Sequence, residues 1–334
     1  MANLVSPQKK IAVLHRYPKD MIKETNSSFP YLLEKGIDVL TFKSFDRLSH
    51  WKKHLKSILW IFYAPFLVIG KSYDVIYCDD SYPFYPILVK LASPKSKVVL
   101  RIGDFHLMYY FSGITHKLLH WIEKIGWRMA DEIIVISEAM ADKLREEWFN
   151  SKIVLDPVDT YIKLPRKISK PFKKIVMFHG VLTKNKGVDV LIKAAEILSD
   201  VNFCIIGEGQ ELKFLKSISP ANVSFMPWVP RDNIYSMLIM CDIGVALRNN
   251  NPGNEYVVTS PFLQYGVIGK PCLVTRRKVF GDYEWQFSGV DELVDKIEIL
   301  LNKPKEGMKL QKFVLKHHSA ENIANDIWNI LTQA

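Results

Sequence analysis

Four segments in the second half of the chain place residues able to hold a phosphorylated ligand at the ends of strand-like runs. The first is Lys174–Leu198, KIVMFHGVLTKNKGVDVLIKAAEIL. A buried strand ends at His179-Gly180, and a loop with Lys184 and Lys186 leads through Gly187 into an amphipathic helix. Gly180 lets backbone approach a ligand closely, and the lysines offset phosphate charge at a helix N-terminus. Alone this is a weak signal, since a strand-glycine-helix turn occurs in any α/β protein. The second segment is Phe203–Leu212, FCIIGEGQEL. It falls short of G-x-G-x-x-G, so it is no dinucleotide fingerprint, and a tight turn accounts for both glycines. The third is Asn222–Met240, where a short strand runs into Pro227-Trp228-Val229-Pro230. Backbone around Val229 can read a nucleobase edge, and Trp228 either packs on the base or joins the core. The fourth is Gly253–Thr275, GNEYVVTSPFLQYGVIGKPCLVT. Thr259 or Ser260 is placed to cap a helix with Pro261 at its first position. The free amides there form an anion site suited to a pyrophosphate. Gln264 lies one turn later on the face of Ser260, within reach of a ribose hydroxyl.

The elements that must hold these residues read as parallel α/β architecture, because short β-branched runs alternate with helical patterns. Strands are expected at Lys10–Leu14, Asp38–Phe42, Tyr73–Tyr77, Lys97–Ile102, Glu132–Ile136 and Lys152–Leu155. Helices are expected at Pro83–Leu91, His116–Met129 and Glu138–Glu147. Segment Ile162–Phe172, IKLPRKISKPF, is basic, holds two prolines and lacks periodicity. It reads as a linker. The pattern then restarts, with strands at Lys174–Phe178, Asn202–Ile206, Val223–Met226, Ile243–Leu247 and Pro271–Thr275. Helices are expected at Gly187–Leu198, Glu211–Ser217, Arg231–Met240, Pro261–Ile268 and Asp291–Asn302. Ala320–Leu331 is a last helix with Ile323, Ile327, Trp328 and Leu331 on one face. The expected domains are 1–164, which would bind the acceptor, 173–315, which would bind the donor, and a helix 316–334 that returns to the first. Two such sheets facing across a cleft would take ligands at the carboxyl ends of their strands.

Composition narrows the partners. The net charge is +10, and residues 1–56 hold eleven Lys/Arg against five Asp/Glu. That imbalance points to an anionic partner or to a solubilising surface. No helix-turn-helix, zinc-finger or RNP pattern supports nucleic acid. Trp51–Gly70 combines Lys52, Lys53 and Lys56 with a run of apolar and aromatic residues. It reads as a core helix or as one lying on an anionic membrane surface. Its longest apolar stretch, Ile58–Gly70, is too short to span a bilayer. The four cysteines, Cys78, Cys204, Cys241 and Cys272, form no C-x-x-C pair and read as reduced core residues. The N-terminus shows no signal peptide. The expected location is cytoplasmic, peripheral on the inner face of the cell membrane.

The order of the four segments resembles the donor domain of retaining glycosyltransferase family 4, within the GT-B fold, over roughly residues 130–303. The match begins with EIIVISEAM and the NGVD-like DPVD at Asp156–Asp159. The resemblance implies transfer of a sugar from a nucleoside diphosphate sugar, UDP- or GDP-linked, to an acceptor hydroxyl. A lipid-linked or polysaccharide-precursor glycan is the expected acceptor, with no cofactor and no metal required. It implies a hexosyltransferase of class EC 2.4, with a 2-epimerase or a non-catalytic nucleotide-sugar binder as alternatives. The chain departs from the family pattern in three places. The family's E-x7-E falls on Tyr256 and Gln264, so that Glu255 is displaced by one position and the second carboxylate is an amide. The usual arginine beside the glycine is Val181, which leaves the phosphate role to Lys184 or Lys186. The loop after the first strand, usually glycine-rich, is His15-Arg16-Tyr17-Pro18-Lys19. Its cationic side chains His15, Arg16 and Lys19 are the expected phosphate or acceptor contacts.

Catalytic candidates lie in VVLRIGDFHLMYY. The family commonly places a histidine after this strand, near the sugar, and His106 fits that position. Asp104 can instead be the general base of an inverting relative. The alternative is a loop aspartate capping the next segment beside a partly exposed histidine, but the position of both at a strand's carboxyl end favours function. Asp79-Asp80-Ser81 reads mainly as a helix N-cap ahead of Pro83.

Overall fold

The computed structural model describes residues 9–15, 27–41, 63–79, 84–105, 113–162, 164 and 170–334. The chain forms two compact units, Met1–Pro157 with Ala320–Ala334, and Val158–Ser319. The change of unit falls at Pro157–Val158, ahead of the basic segment 162–172. Val158 is buried in the second unit's core, and its N–H donates to the His318 carbonyl at 2.8 Å.

In the first unit, six parallel strands run in the order β2-β1-β3-β4-β5-β6. They are β1 (Ile11–His15), β2 (Asp38–Leu40), β3 (Val75–Asp79), β4 (Lys97–Ile102), β5 (Glu132–Val135) and β6 (Lys152–Ile153). Every residue of β1 and β3 is buried, as expected of parallel strands covered on both faces. The helix Ala320–Gln333 completes this unit. Ile323, Ala324, Ile327 and Leu331 share a core with Ile11, Val13, Phe29 and Leu32. Lys9 Nζ donates to the Thr332 and Ala334 carbonyls at 2.7 Å each, a cation at the negative end of the helix.

The second unit holds six parallel strands in the order β12-β11-β10-β7-β8-β9. They are β7 (Ile175–His179), β8 (Asn202–Ile206), β9 (Val223–Met226), β10 (Ile243–Ala246), β11 (Cys272–Thr275) and β12 (Gln286–Phe287). Helices cover both faces. Asp189–Ile197 and Val290–Leu301 contribute to one core, and Arg231–Leu238 and Ser260–Val267 to the other. A Cβ on Gly244 of β10 would stand 2.3 Å from the Tyr265 ring, so glycine lets the helix Ser260–Val267 settle against the sheet. All four cysteines are buried and none is in a disulfide.

Several elements differ from the sequence expectation. Strand β6 is two residues long, since its partner β5 pairs only with Lys152 and Ile153. The helices Phe29–Glu34 and Glu306–His317 and the strand β12 carry too little periodicity to be read from sequence. Glu306–His317 buries only Gly307, Leu310 and Val314. The helix expected at Pro83 starts at Tyr85, with Phe84 rather than Asp79 at its cap position.

Both sheets reverse their order once. In the second unit the chain moves outward from β7 through β8 to β9, then returns to the other side of β7 with β10. The crevice at the carboxyl ends of β7 and β10 is therefore this unit's switch point, where open α/β sheets take ligands. In the first unit the same point lies between β1 and β3.

Truncating Ile327 to alanine tests the returning helix. Ile327→Ala is expected to cost about 2–5 kcal/mol. The readout is a lower urea midpoint for the first unit, and an unchanged midpoint would remove the helix from that core.

Candidate functional site

Strand β7 delivers His179 and Gly180 to the switch point. Gly180 has φ +146°, a conformation that favours glycine, and the nearest atom to a Cβ built there is the Phe178 ring at 3.5 Å. The Gly-Glu-Gly turn after β8 packs directly on this loop. A Cβ on Gly207 would stand 1.9 Å from the Gly180 carbonyl oxygen, and one on Gly209 would stand 2.2 Å from that of Leu182. Close backbone packing, rather than a tight turn alone, explains both glycines. Backbone bonds hold the loops together: Gly180 N–H to the Ile206 carbonyl at 3.0 Å, Leu182 N–H to the Glu208 carbonyl at 2.8 Å, and Glu211 N–H to the Leu182 carbonyl at 3.1 Å.

The loop after β7 then forms a 3-10 turn, Lys184–Lys186, that ends on Gly187 at φ +65°. Lys184 is exposed, while Lys186 is half-buried. Among the described residues, Lys186 makes no ion pair with a carboxylate. Burial, and then the charge of Arg248, push its pKa down to about 7. Val181 is exposed.

His179 is buried and neutral. Burial first, and the nearby Lys186 charge, hold its pKa down at about 4 against the opposing bond to Gln264. Its Nε2 lies 2.6 Å from Gln264 Oε1, and its Nδ1 lies 3.1 Å from the Tyr265 hydroxyl. Tyr265 in turn donates to the Met177 carbonyl at 2.7 Å. Gln264 is thus anchored through His179 to the β7 backbone, with its side chain at the switch point.

The helix that carries Gln264 is Ser260–Val267, with Thr259 at the cap position and Pro261 second in the helix. Ser260 is exposed. Thr259 is 3% exposed, and its buried hydroxyl has no hydrogen-bond partner among the described residues. Glu255 does not project freely toward a ligand. It accepts from the Lys278 N–H at 3.0 Å and lies 3.7 Å from Arg277 Nε. Trp228 is 60% exposed beyond the end of edge strand β9, and Val229 is partly buried against the core.

The first unit presents a different kind of switch point. His15 is the last residue of β1 and pairs in register with Asp79, the last residue of β3. His15 Nδ1 lies 3.0 Å from Asp79 Oδ2, and the Tyr77 hydroxyl donates to Asp79 Oδ1 at 3.0 Å. Arg101 Nη1 stands 3.6 Å from the same carboxylate, and Arg101 Nη2 bonds Asp156 at 2.6 Å. Burial raises the Asp79 pKa, but His15, Arg101 and Tyr77 outweigh it and hold the carboxyl below its ordinary value. Asp79 is therefore a buried anchor and not a helix cap, because β3 continues through it. His15, 1% exposed, is a strand residue in the same network. Arg16, Lys19, Asp80, Ser81 and His106 lie outside the described residues. Asp104 follows β4 by two residues and is partly buried. Among the described residues, no group of three or more His, Cys, Asp or Glu side chains is placed to hold a metal ion.

Two doubly wound parallel sheets in one chain, with a cationic switch point in the second, define a GT-B glycosyltransferase architecture. Two family models match side by side: Glycosyltransferase Family 4 over residues 24–159, and Glycosyl transferases group 1 over residues 163–317. The chain belongs to the glycosyltransferases of this type and is a transferase of class EC 2.4. No curated protein matches it. Among solved structures it is similar to sucrose-phosphate synthase from Thermosynechococcus elongatus, at 12% identity and TM-score 0.76, covering 98% of this chain and 99% of that one. It is similar to HepE of Anabaena in complex with UDP, at 15% identity and TM-score 0.70, covering 97% and 100%. It is also similar to the apo form of the lipopolysaccharide outer core galactosyltransferase WaaB, at 13% identity and TM-score 0.66, covering 97% and 100%. At these identities the likeness concerns the fold.

The Lys186 environment gives a signed pH effect. Free Lys186 titrates near pH 7, and a bound phosphate returns its pKa toward the ordinary lysine value of 10.5. A nucleoside diphosphate, whose phosphate is already ionised above about pH 6, should therefore be bound with uptake of nearly one proton at pH 8, about half a proton at pH 7, and progressively less as the pH falls further. Calorimetry in two buffers of different ionisation enthalpy measures this uptake, and Lys186→Ala should abolish it. Equal heats in both buffers for the unaltered protein would contradict the assignment.

Proposed function

We propose that this glycosyltransferase moves a sugar from a nucleoside diphosphate sugar to the hydroxyl of a lipid-linked or polysaccharide-precursor glycan. The observation that carries this reading is Lys186, half-buried on the loop after β7, close enough for its charge to act on His179 and unmatched by any described carboxylate. A charge so placed is stabilised by an anion. The exposed Ser260 and the N-terminal amides of its helix add a second anion-binding feature. Gln264 takes the ribose, Trp228 and Val229 the base, and Gly180 the donor's approach. Glu255 acts by shaping the loop through Arg277 and the Lys278 amide. HepE, similar in fold, was solved with UDP, which supports a UDP-sugar as donor.

Cations and helix amides can offset the leaving diphosphate's charge, so the reaction we propose needs no metal. In a retaining reaction the leaving phosphate takes the acceptor proton, and His106 positions the sugar. In an inverting one Asp104 is the base. We favour retention on the resemblance of the donor domain to a retaining family.

A thermal-shift screen of UDP-, GDP-, TDP- and ADP-sugars tests the donor. At a free concentration of about 100 times Kd, specific binding adds about 2.7 kcal/mol of stability, and no shift with any of them would sink the reading. For the mechanism, Asp104→Asn should leave kcat within about tenfold in a retaining enzyme. A loss of about 10²–10⁴-fold with an inverted product would make Asp104 the base.

The membrane belongs to the same proposal. No helix among the described residues is long and apolar enough to cross one. Attachment is assigned to the surface of the first unit, on the cytoplasmic side. The helix Gly113–Met129 exposes Ile114, Leu118 and Trp121 at helical spacing, and Tyr63, Phe66 and Ile69 are exposed as well. Lys52, Lys53 and Lys56, outside the described residues, supply basic charge. Flotation with anionic vesicles should be salt-sensitive and should fall in a Leu118→Glu/Trp121→Glu variant. Equal recovery with neutral vesicles would count against an anionic surface.

A further inference from the structure

We infer that Arg248, at the carboxyl end of β10, is the second phosphate-binding cation of the donor site and forms with Lys186 a two-cation cradle for a diphosphate. The inference rests on the reading of this unit as the donor-binding one, and it adds a residue for which sequence spacing gave no role.

The placement follows from how the two loops are tied. Asn249, the residue after Arg248, donates its N–H to the Asn185 carbonyl at 2.9 Å. Asn185 is the residue before Lys186. The Asn249 amide also donates to the Lys184 carbonyl at 3.3 Å. Asn254 is 1% exposed, and its amide nitrogen lies 3.0 Å from Asn185 Oδ1, 3.0 Å from the Asn249 carbonyl and 3.1 Å from Asn249 Oδ1. Three asparagines therefore lock the β10 loop onto the 3-10 turn after β7. Locking residues 185 and 249 together holds their neighbours 186 and 248 near enough for the Arg248 charge to act on Lys186.

Arg248 itself is fixed through its backbone. Its N–H donates to Thr275 Oγ1 at 3.1 Å, and its carbonyl accepts from Arg277 Nη2 at 2.8 Å. Arg277 Nη2 also reaches the Asn249 carbonyl at 2.6 Å and Asn250 Oδ1 at 3.2 Å. Among the described residues the Arg248 guanidinium, like the Lys186 ammonium, has no carboxylate partner. Two like charges held adjacent repel each other, and Arg248 indeed lowers the Lys186 pKa. A dianionic or trianionic group between them removes that repulsion. Guanidinium and ammonium differ in what they offer such a group. The planar fork grips two oxygens at once, while the ammonium acts as a point charge. The fork grips carboxylate and phosphate alike, but two neighbouring cations match the two or three charges of linked phosphates and exceed the single charge of a carboxylate.

Inorganic pyrophosphate, UDP and uridine titrated by calorimetry into the unaltered protein, Arg248→Ala, Arg248→Lys and Lys186→Ala test this. Arg248→Ala should weaken pyrophosphate and UDP by about 10- to 100-fold and leave uridine unchanged. Arg248→Lys should lose less. The side-chain change spares both backbone contacts, and an unaltered melting temperature in the Arg248 variants verifies folding. Pyrophosphate binding that is absent, or equal in Arg248→Ala and the unaltered protein, overturns the cradle. Arg248-dependent pyrophosphate binding that UDP and GDP do not improve upholds the cradle and overturns the nucleotide reading instead.

Discussion

The second unit depends on one constraint, the reversal of strand order beside β7. All six strands run parallel, so their carboxyl ends share an edge. On either side of β7 the chain departs in opposite directions, so the loops after β7 and β10 lead to helices in the two different cores, and side-chain and loop bonds such as those of Asn185, Asn249 and Asn254 tie them above the strand ends. The residues gathered there, His179, Gly180, Lys186, Arg248 and Gln264, come from three elements that are distant in sequence. Their common location is a property of topology before it is a property of any side chain.

The two switch points show what the same geometry becomes with different residues. In the first unit, His15 and Asp79 meet in register across β1 and β3, and Tyr77 and Arg101 complete the network. Arg101 faces the carboxylates of Asp79 and Asp156 there, and His15 and Tyr77 bond Asp79 across the strands' ends. In the second unit the buried histidine is neutral and the nearby charges share one sign. The first pairs a carboxylate with a guanidinium inside the fold, whereas in the second neither Lys186 nor Arg248 has a carboxylate partner among the described residues. That contrast, more than the number of polar residues, separates a structural cluster from a site.

The sequence made the strands and the β7 loop legible because their signals are local. A fully buried run, a glycine, two lysines and a helix occupy one continuous stretch. The capped helix Ser260–Val267 was legible for the same reason, through Thr259, Ser260 and Pro261. Arg248 was not, since its role depends on Asn249 meeting Asn185, a pairing of loops more than sixty residues apart. His179 was seen as the end of a strand, but nothing in the spacing reveals its bond to Gln264. For Glu255 the spacing likewise gave no sign of its partners, the Lys278 N–H and Arg277. Asp79 was misplaced by a strand that runs two residues further than its apolar pattern.

The helix Ala320–Gln333 has a consequence for biosynthesis. It belongs to the core of the first unit, yet the whole second unit separates it from the rest of that core in the chain. A ribosome releases residues in order. The second unit, Val158–Ser319, is continuous and can close as soon as Ser319 emerges. The earlier-made unit must wait, with Ile11, Val13 and Phe29 lacking their last neighbours, until Leu331 has been released. The part of the protein synthesised first is therefore the part that matures last, and its unfinished apolar face is what a chaperone would meet on the nascent chain.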